Sequence, residues 1–163
     1  MGTIDVSAYG YVSEEELQRF EAQIGHTLPE DYRRFLAATN GFSTPYQVRI
    51  GDPEGSVLEE GLWGIRPEDP ITDIRVRNMW ISHSVAPGYL AIASYIGGFI
   101  VLTLSGRFRG MISQLSELDM GFEPPADSPY ATAAEYYCEE TLYPEADTFM
   151  EFLESLMPDP DND

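Results

Sequence analysis

Two histidines, one cysteine and many carboxylates are the groups in this chain that could perform nucleophilic, acid–base or metal chemistry. His26 and His83 have no second histidine or carboxylate at a spacing typical of a metal site, so we expect neither to bind a metal. Cys138 has three glutamates within three positions. Nearby negative charge raises the pKa of a thiol and suppresses the nucleophilic thiolate. The alternative of a catalytic Cys–His pair is therefore disfavoured, and we expect Cys138 to be a half-buried small apolar residue.

The paired carboxylates are too common to indicate general acid–base catalysis. Glu59–Glu60 and Glu68–Asp69 are candidate pairs, but 28 acidic residues among 163 produce such neighbours by chance. A calcium site is a further alternative, although its candidate ligands match no EF-hand spacing: Asp52, Glu54 and Glu59. The glycine pair Gly97–Gly98 is not followed by a lysine or a helix start, so it predicts a hairpin and not a phosphate loop. We expect no catalytic residue, metal or cofactor, and hence a protein that is not an enzyme.

The charge is strongly negative and unevenly distributed. The formal net charge is −19, with nine arginines and no lysine. From Glu117 to the end the chain has 14 acidic residues and no basic one, whereas the first 116 residues have a formal charge of −5. Direct binding to nucleic acid requires cations that neutralise phosphates, so we expect none. Such a surface attracts basic proteins and opposes self-association, which predicts a basic partner and a monomer when free. Solubility alone is the alternative explanation of the charge.

One acidic segment also has the composition of a recognition surface. Tyr130–Asp147 contains four tyrosines, five acidic residues and no basic residue. Tyrosine is favoured at interface hot spots, and acidic side chains can steer a basic partner and then pair with it. The alternative is that Tyr137 and Tyr130 face the core while the acidic residues face water. The candidate partner-binding residues are Asp119, Glu123, Asp127, Tyr130, Glu135, Tyr136, Glu139, Glu140 and Tyr143.

Two helices are predicted near the N-terminus. Ser13 and Glu16 form a capping box, and Gly25 can end this first helix in a left-handed conformation. Pro29 fits the first turn of a second helix, which the pair Asn40–Gly41 would end.

The middle of the chain is expected to form strands. The candidates are Gln47–Ile50, Leu62–Ile65, Tyr89–Tyr95, Phe99–Leu104 and Arg107–Ile112. Turns at Gly97–Gly98 and Ser105–Gly106 would join the last three into an antiparallel meander. Phe99–Leu104 is apolar almost throughout, so we expect both of its faces to be covered. A short helix is expected between Glu68 and Trp80.

The C-terminal third is expected to be helical again. Ser128–Pro129 would begin a helix that runs to about Glu140. Pro144 would begin another helix, which Pro158 ends. We predict one domain over residues 1–157 and an acidic disordered tail over residues 158–163.

Residues 13–41 resemble the N-terminal motif of the SUKH superfamily. The residues that match this structural family motif are Leu28, Pro29, Asp31, Tyr32, Phe35, Leu36, Asn40 and Gly41. Ala146–Leu156 resembles the final helix of the family, and Tyr89–Leu104 is similar in layout to its core hairpin. Residues 110–143 have no counterpart in this resemblance.

The resemblance implies an α+β fold with a single mixed, mostly antiparallel sheet of about five to six strands, flanked by N- and C-terminal helices. Most bacterial members look like immunity proteins, which bind and block a nuclease or nucleic-acid deaminase toxin. A fungal branch regulates cell-wall assembly as an interaction scaffold. The resemblance therefore implies a cognate toxin as partner. The alternative is a non-enzymatic scaffold of the same fold that binds a signalling or cell-envelope partner.

The location is expected to be the cytoplasm. No run approaches the roughly 20 apolar residues that a membrane-spanning helix requires. The N-terminus lacks the basic and apolar regions of a secretory signal. A single cysteine is consistent with a reducing compartment. We therefore expect no membrane association.

Overall fold

The structure, a computed structural model, describes residues 4–161. Its helices are α1 Glu14–Ile24, α2 Glu30–Thr39, α3 Ile74–Trp80, α4 Glu117–Met120, α5 Ala133–Glu140 and α6 Phe149–Ser155. Its strands are β1 Ser7–Ala8, β2 Phe42–Ser43, β3 Val48–Ile50, β4 Val57–Glu59, β5 Tyr89–Tyr95, β6 Gly98–Thr103, β7 Ile112–Ser116, β8 Tyr143–Ala146 and β9 Leu156–Pro158. The α+β class is thus confirmed.

One antiparallel sheet organises the molecule. Its seven strands lie in the order β8-β7-β6-β5-β4-β3-β9, while β1 and β2 form a separate ribbon. The sheet is curled, so that the Gln114 amide of β7 reaches Ser56 in the β3–β4 loop at 3.2 Å while also donating to Glu145 of β8 at 2.6 Å. The sheet has more than the five to six strands expected. Strands β4, β8 and β9 were not predicted, because they are too short for a period-two pattern to be visible in sequence.

The caps of the first two helices follow from the sequence. Ser13 caps α1 by accepting from the Glu16 N–H at 3.2 Å, and Gly25 ends it at φ +74°. Asn40 ends α2 at φ +51°, as expected for a residue that tolerates the left-handed region. Pro29 is the residue before the helix and not its first residue, because α2 begins at Glu30. This position suits proline equally, since its missing N–H would be unpaired there.

Strand β6 is covered on both faces, as predicted. One face contributes Ile100 and Leu102 to the main core, which also contains the apolar sides of α1, α2 and α6. Within that core the Tyr32 and Phe149 rings meet edge to face at 4.9 Å. The other face contributes Val101, which packs in a second cluster with Tyr137 of α5. The C-terminal third therefore supplies cover for the back of the sheet.

The predicted strand Leu62–Ile65 is wrong. This segment makes isolated contacts and no ladder, because the Asn40 side chain occupies the hydrogen-bonding positions of Ile65. The Ile65 N–H donates to Asn40 Oδ1 at 2.7 Å, and Asn40 Nδ2 donates to the Ile65 carbonyl at 2.8 Å. A side-chain amide thus pairs with the backbone as a neighbouring strand would.

The meander differs from the prediction in its turns. The first turn consists of Ile96 and Gly97, with Gly97 at φ +122°, because Tyr95 already pairs with Gly98. The predicted strand Arg107–Ile112 is wrong, since Ile112 is where β7 begins. Ser105–Gly106 is therefore part of a longer loop, which the Gly110 N–H closes by donating to the Thr103 carbonyl at 2.8 Å. The short helix expected between Glu68 and Trp80 is confirmed as α3.

Both C-terminal helices begin later than predicted. The predicted start of α5 at Ser128–Pro129 is wrong, because Thr132 caps it by accepting from the Glu135 N–H. The predicted helix start at Pro144 is also wrong, since Pro144 lies in edge strand β8 and Thr148 caps α6. Proline is tolerated on an edge strand, where no neighbour needs its N–H.

Part of the expected tail is ordered. Pro158 pairs with Val48 in the sheet, and Asp159 is buried, with Oδ1 3.1 Å from Arg49 Nε. Asn162 and Asp163 lie outside the described residues.

Asn40→Gly should lower the free energy of unfolding by about 1–3 kcal/mol, because it removes both hydrogen bonds to Ile65 and keeps the positive φ accessible. Asn40→Ala should cost about 1–2 kcal/mol more, because alanine disfavours the left-handed region. Urea denaturation followed by tryptophan fluorescence measures both. If Asn40→Gly unfolded at the same urea concentration as the wild type, the Asn40 side-chain amide would not stabilise the segment 62–65.

Candidate partner-binding surface

The acidic side chains at the end of helix α5 point outward because its other face is buried. Ala134, Tyr137 and Cys138 recur at helical spacing, and all are buried, Tyr137 in a cluster with Val101 of β6 and the other two in a cluster with Ala86. Glu139 and Glu140 are consequently exposed. We call the outward side of residues 117–143 the α4–α5 surface.

Two tyrosine hydroxyls hold the exposed carboxylates of α5. Tyr89 donates to Glu139 Oε1 at 2.6 Å, and Tyr130 donates to Glu140 Oε1 at 2.6 Å. Burial and then the bond to Glu139 raise the pKa of Tyr89, while the bond to Glu140 raises the pKa of Tyr130 to about 12. Both phenols therefore remain neutral donors at physiological pH. Each carboxylate retains acceptor sites that an arginine or lysine of a partner could use.

Tyrosine rings connect this helix to the segment that precedes it. The Tyr130 and Tyr136 ring centroids are 6.3 Å apart, and those of Tyr136 and Tyr137 are 5.9 Å apart. The Tyr137 hydroxyl donates its one proton to the Phe122 carbonyl at 2.9 Å and shares it with the Met120 carbonyl at 3.2 Å. Tyr137 thus faces the core, as the alternative interpretation held, and it fastens the end of α4 to α5. Tyr130 instead remains half-exposed.

The predicted site residues are not all brought together. Glu135 accepts from the Ala131 N–H at 3.2 Å and so stabilises the start of α5. The residues that converge around α5 are Tyr130, Glu135, Tyr136, Glu139 and Glu140. Asp119 lies in α4, while Glu123 and Asp127 are exposed in the loop that follows. Tyr143, which is 73% exposed, lies on edge strand β8.

The ion pairs of residues 4–161 lie almost entirely before position 117. Seven arginines form ion pairs, and six of them pair with acidic residues before position 117. The seventh, Arg49, pairs with Asp159. Within residues 117–161, Asp159 is the one acidic residue that forms an ion pair, so the carboxylates of the α4–α5 surface have no arginine ion-pair partner in the described part of the chain.

The groups with catalytic potential are dispersed or buried. Across residues 4–161, no three His, Cys, Asp or Glu side chains are grouped so that they could hold a metal ion. His26 Nδ1 lies 3.1 Å from the Ile24 carbonyl, and His83 is exposed after α3. Cys138 is fully buried, more than the half-buried position expected, and its thiol donates to the Ser84 carbonyl at 3.8 Å.

Some residues of this region were not found from sequence. Tyr89 is 50 positions from its partner Glu139, a separation at which sequence has no local signal. The exposed apolar residues Ile96, Leu118 and Phe122 were also missed. The four-residue spacing of Leu118 and Phe122 between acidic residues was the available signal.

The family motif residues have structural roles. Leu28, Tyr32 and Leu36 are buried in the main core. Asp31 Oδ1 accepts from the Tyr32 N–H at 2.8 Å, and Oδ2 accepts from the Met150 N–H at 3.2 Å, which joins the start of α2 to α6. The motif therefore assembles the helical layer on the main-core face of the sheet.

The chain belongs to the SMI1 / KNR4 family (SUKH-1), whose family profile matches residues 11–155. The match includes residues 110–143, for which the residue-level resemblance offered no counterpart. This family generally has a non-catalytic fold with immunity or regulatory functions. No curated protein matches the chain. No helix within residues 4–161 has the length and apolar character needed to cross a membrane.

Cys138 should react with iodoacetamide about 100-fold more slowly in the folded protein than in urea at about pH 8, from its thiolate fraction alone. Desolvation raises its pKa from 9.0 to about 11. The folded state therefore binds the thiol proton more tightly, and this stabilisation is present below pH 9 and lost as the pH rises towards 11. Mass spectrometry measures the rates, and equal rates in both states would contradict the burial of this thiol.

Proposed function

We propose that this protein is an immunity protein that binds and neutralises a cognate toxin domain, a nuclease or nucleic-acid deaminase, through the α4–α5 surface. The observation that carries the proposal is the set of exposed carboxylates on this surface, which form no ion pair with the arginines of residues 4–161. An enzyme that acts on nucleic acid has to bind phosphates, and it does so mainly with lysine and arginine. An acidic surface is complementary to such a cleft.

Charge would act mainly on the rate of capture. Complementary potentials raise association rates by about 10 to 10³ relative to a neutral pair. Rapid binding is useful when the partner damages nucleic acid in the same cell. The effect decreases with salt, because the Debye length falls from about 10 Å at 0.1 M to about 3 Å at 1 M ionic strength.

The Tyr–Glu hydrogen bonds would reduce the entropic cost of binding. Tyr89 and Tyr130 restrict Glu139 and Glu140 before a partner arrives. Fewer rotamers are then lost on association. Arginine can form two parallel hydrogen bonds with a carboxylate, so these glutamates suit an arginine-rich surface.

Inhibition in this account is stoichiometric and needs no catalytic group. We propose that the free protein is a cytoplasmic monomer, because a net charge of −19 opposes self-association. The second candidate function is a non-enzymatic scaffold that binds a signalling or cell-envelope partner. Family membership favours it as well, because the family includes regulatory proteins.

Co-expression tests the proposed function. The C-terminal domain encoded by the adjacent open reading frame is expressed in cells with and without this chain, and the complex is recovered at low and high salt. We expect rescue of growth and a 1:1 complex that weakens as salt rises. A harmless neighbouring domain, or one that kills despite this chain, would favour the scaffold function.

A charge reversal tests the location of the surface. The triple variant Glu135→Lys/Glu139→Lys/Glu140→Lys should associate with the toxin domain about 10-fold or more slowly than the wild-type chain. The matched control is Asp52→Lys/Glu54→Lys/Glu59→Lys, which changes the net charge by the same amount. These three residues are exposed and form no ion pair within residues 4–161. We expect the control to slow association by about threefold at most.

Circular dichroism establishes that both triple variants fold. Stopped-flow association rates then compare them with the wild-type chain. If the association rates of the two triple variants fall by the same factor, net charge and not this surface determines association.

A further inference from the structure

Three large apolar side chains are exposed at one end of the sheet. Ile96, at the apex of the β5–β6 hairpin, is 63% exposed, while Leu118 and Phe122 are 78% and 71% exposed. A single exposed apolar side chain is ordinary on a protein surface, whereas a contiguous group indicates an interaction site.

Backbone hydrogen bonds place them together. The Glu117 N–H donates to the Gly97 carbonyl at 2.7 Å, which joins the chain neighbours of Ile96 and Leu118. The Phe122 N–H donates to the Asp119 carbonyl at 3.3 Å, so the turn of α4 continues to Phe122. Phe122 therefore follows the final turn of α4, four positions after Leu118. We call Ile96, Leu118 and Phe122 the apical patch.

Acidic residues surround the apical patch. Glu117 and Asp119 flank Leu118 in sequence, and Glu123 follows Phe122. The negative potential reaches the hairpin, because Asp119 and Glu117 contribute, after burial, to raising the pKa of Tyr95. Neighbouring residues 110–143 include no arginine or lysine. The patch therefore combines exposed apolar area with negative charge.

A cleft lies on the other side of α4. It has a volume of about 600 Å³, and Glu117 and Met120 contribute to its wall. Its remaining apolar lining is Ile81, Phe99, Ala133 and Tyr137. Helix α4 is thus a ridge with outward apolar side chains on one side and an apolar concavity on the other, a shape into which a partner can insert a side chain.

The sheet edges are less suitable for docking than this region. Edge strands β8 and β9 contain Pro144 and Pro158, and proline prevents regular pairing with an added strand. A partner is therefore expected to bind through side chains. A second copy of this chain would bring like charges together, and an anionic lipid surface would be repelled in the same way.

We propose that the apical patch and the adjacent cleft form the apolar centre of the partner interface. The occupant is a protein surface with aliphatic or aromatic side chains flanked by lysine and arginine. This inference rests on the proposed function in taking that protein to be the toxin domain. The carboxylates of the α4–α5 surface then steer the partner, and the apical patch retains it.

The test uses the double variant Leu118→Ser/Phe122→Ser of the full chain. It should accelerate dissociation from a catalytically inactive toxin domain by about 10- to 1,000-fold and leave association nearly unchanged, because desolvated apolar contacts act on dissociation. The faster dissociation should persist at about 0.5 M salt, where charge is screened. The matched control is Tyr11→Ser/Met150→Ser, which removes two exposed apolar side chains elsewhere and should leave both rates unchanged.

The outcomes separate the two proposals. If the toxin domain binds the wild type and the double variant equally, the apical patch is excluded and the proposed function stands. If the toxin domain is neither bound nor neutralised by the wild type, the proposed function fails.

The patch is then tested with a helical Leu/Lys peptide of about 20 residues and its Leu/Glu counterpart. Wild type should bind only the Leu/Lys peptide, and the double variant should bind it at least about 10-fold more weakly. Equal binding of that peptide by both chains would overturn the inference. Thermal unfolding verifies that the double variant is folded.

Discussion

Strand β6 is apolar on both faces, and each face has to be covered by a different part of the chain. Helices α1, α2 and α6 cover one face and bury Ile100 and Leu102. Helix α5 covers the other face and packs Tyr137 against Val101. This requirement explains why the C-terminal third is folded despite its charge. It also explains why its carboxylates point outward, since the opposite side of α5 is committed to the core.

Carboxylates have different hydrogen-bond partners in the two parts of the chain. Seven of the 14 acidic residues before position 117 form ion pairs with arginines, as in the bidentate contact of Arg33 with Glu14 at 2.8 Å for both bonds. Two carboxylates of the α4–α5 surface, Glu139 and Glu140, are held by tyrosine hydroxyls instead. A phenol positions a carboxylate without neutralising it. The surface therefore keeps its charge for a partner.

Some of this fold could be predicted from local sequence. Ser13, Gly25 and Asn40 identified helix ends because capping and left-handed geometry depend on single residues. The hairpin between β5 and β6 was predictable because a glycine is required at the turn. The strands β4, β8 and β9 were missed because three or four residues present too little pattern, and their pairing is decided by distant partners.

The candidate site was predictable in composition and not in geometry. The acidic and tyrosine-rich character of residues 130–147 can be read directly. The contact of Tyr89 with Glu139 depends on how α5 lies on the sheet, so sequence does not contain it locally. The exposure of Leu118 was likewise hidden, because an apolar residue beside a strand is normally expected to be buried.

Hydrogen–deuterium exchange of the chain, alone and with its toxin domain, tests the central claim most directly. The account predicts that binding slows amide exchange in residues 117–143 and in the hairpin turn at Ile96–Gly97. It also predicts no change at the exposed ends of α1 and α2, which serve the core. Protection confined to α1 and α2, with unchanged exchange in residues 117–143, would contradict the assignment of the α4–α5 surface as the partner-binding site.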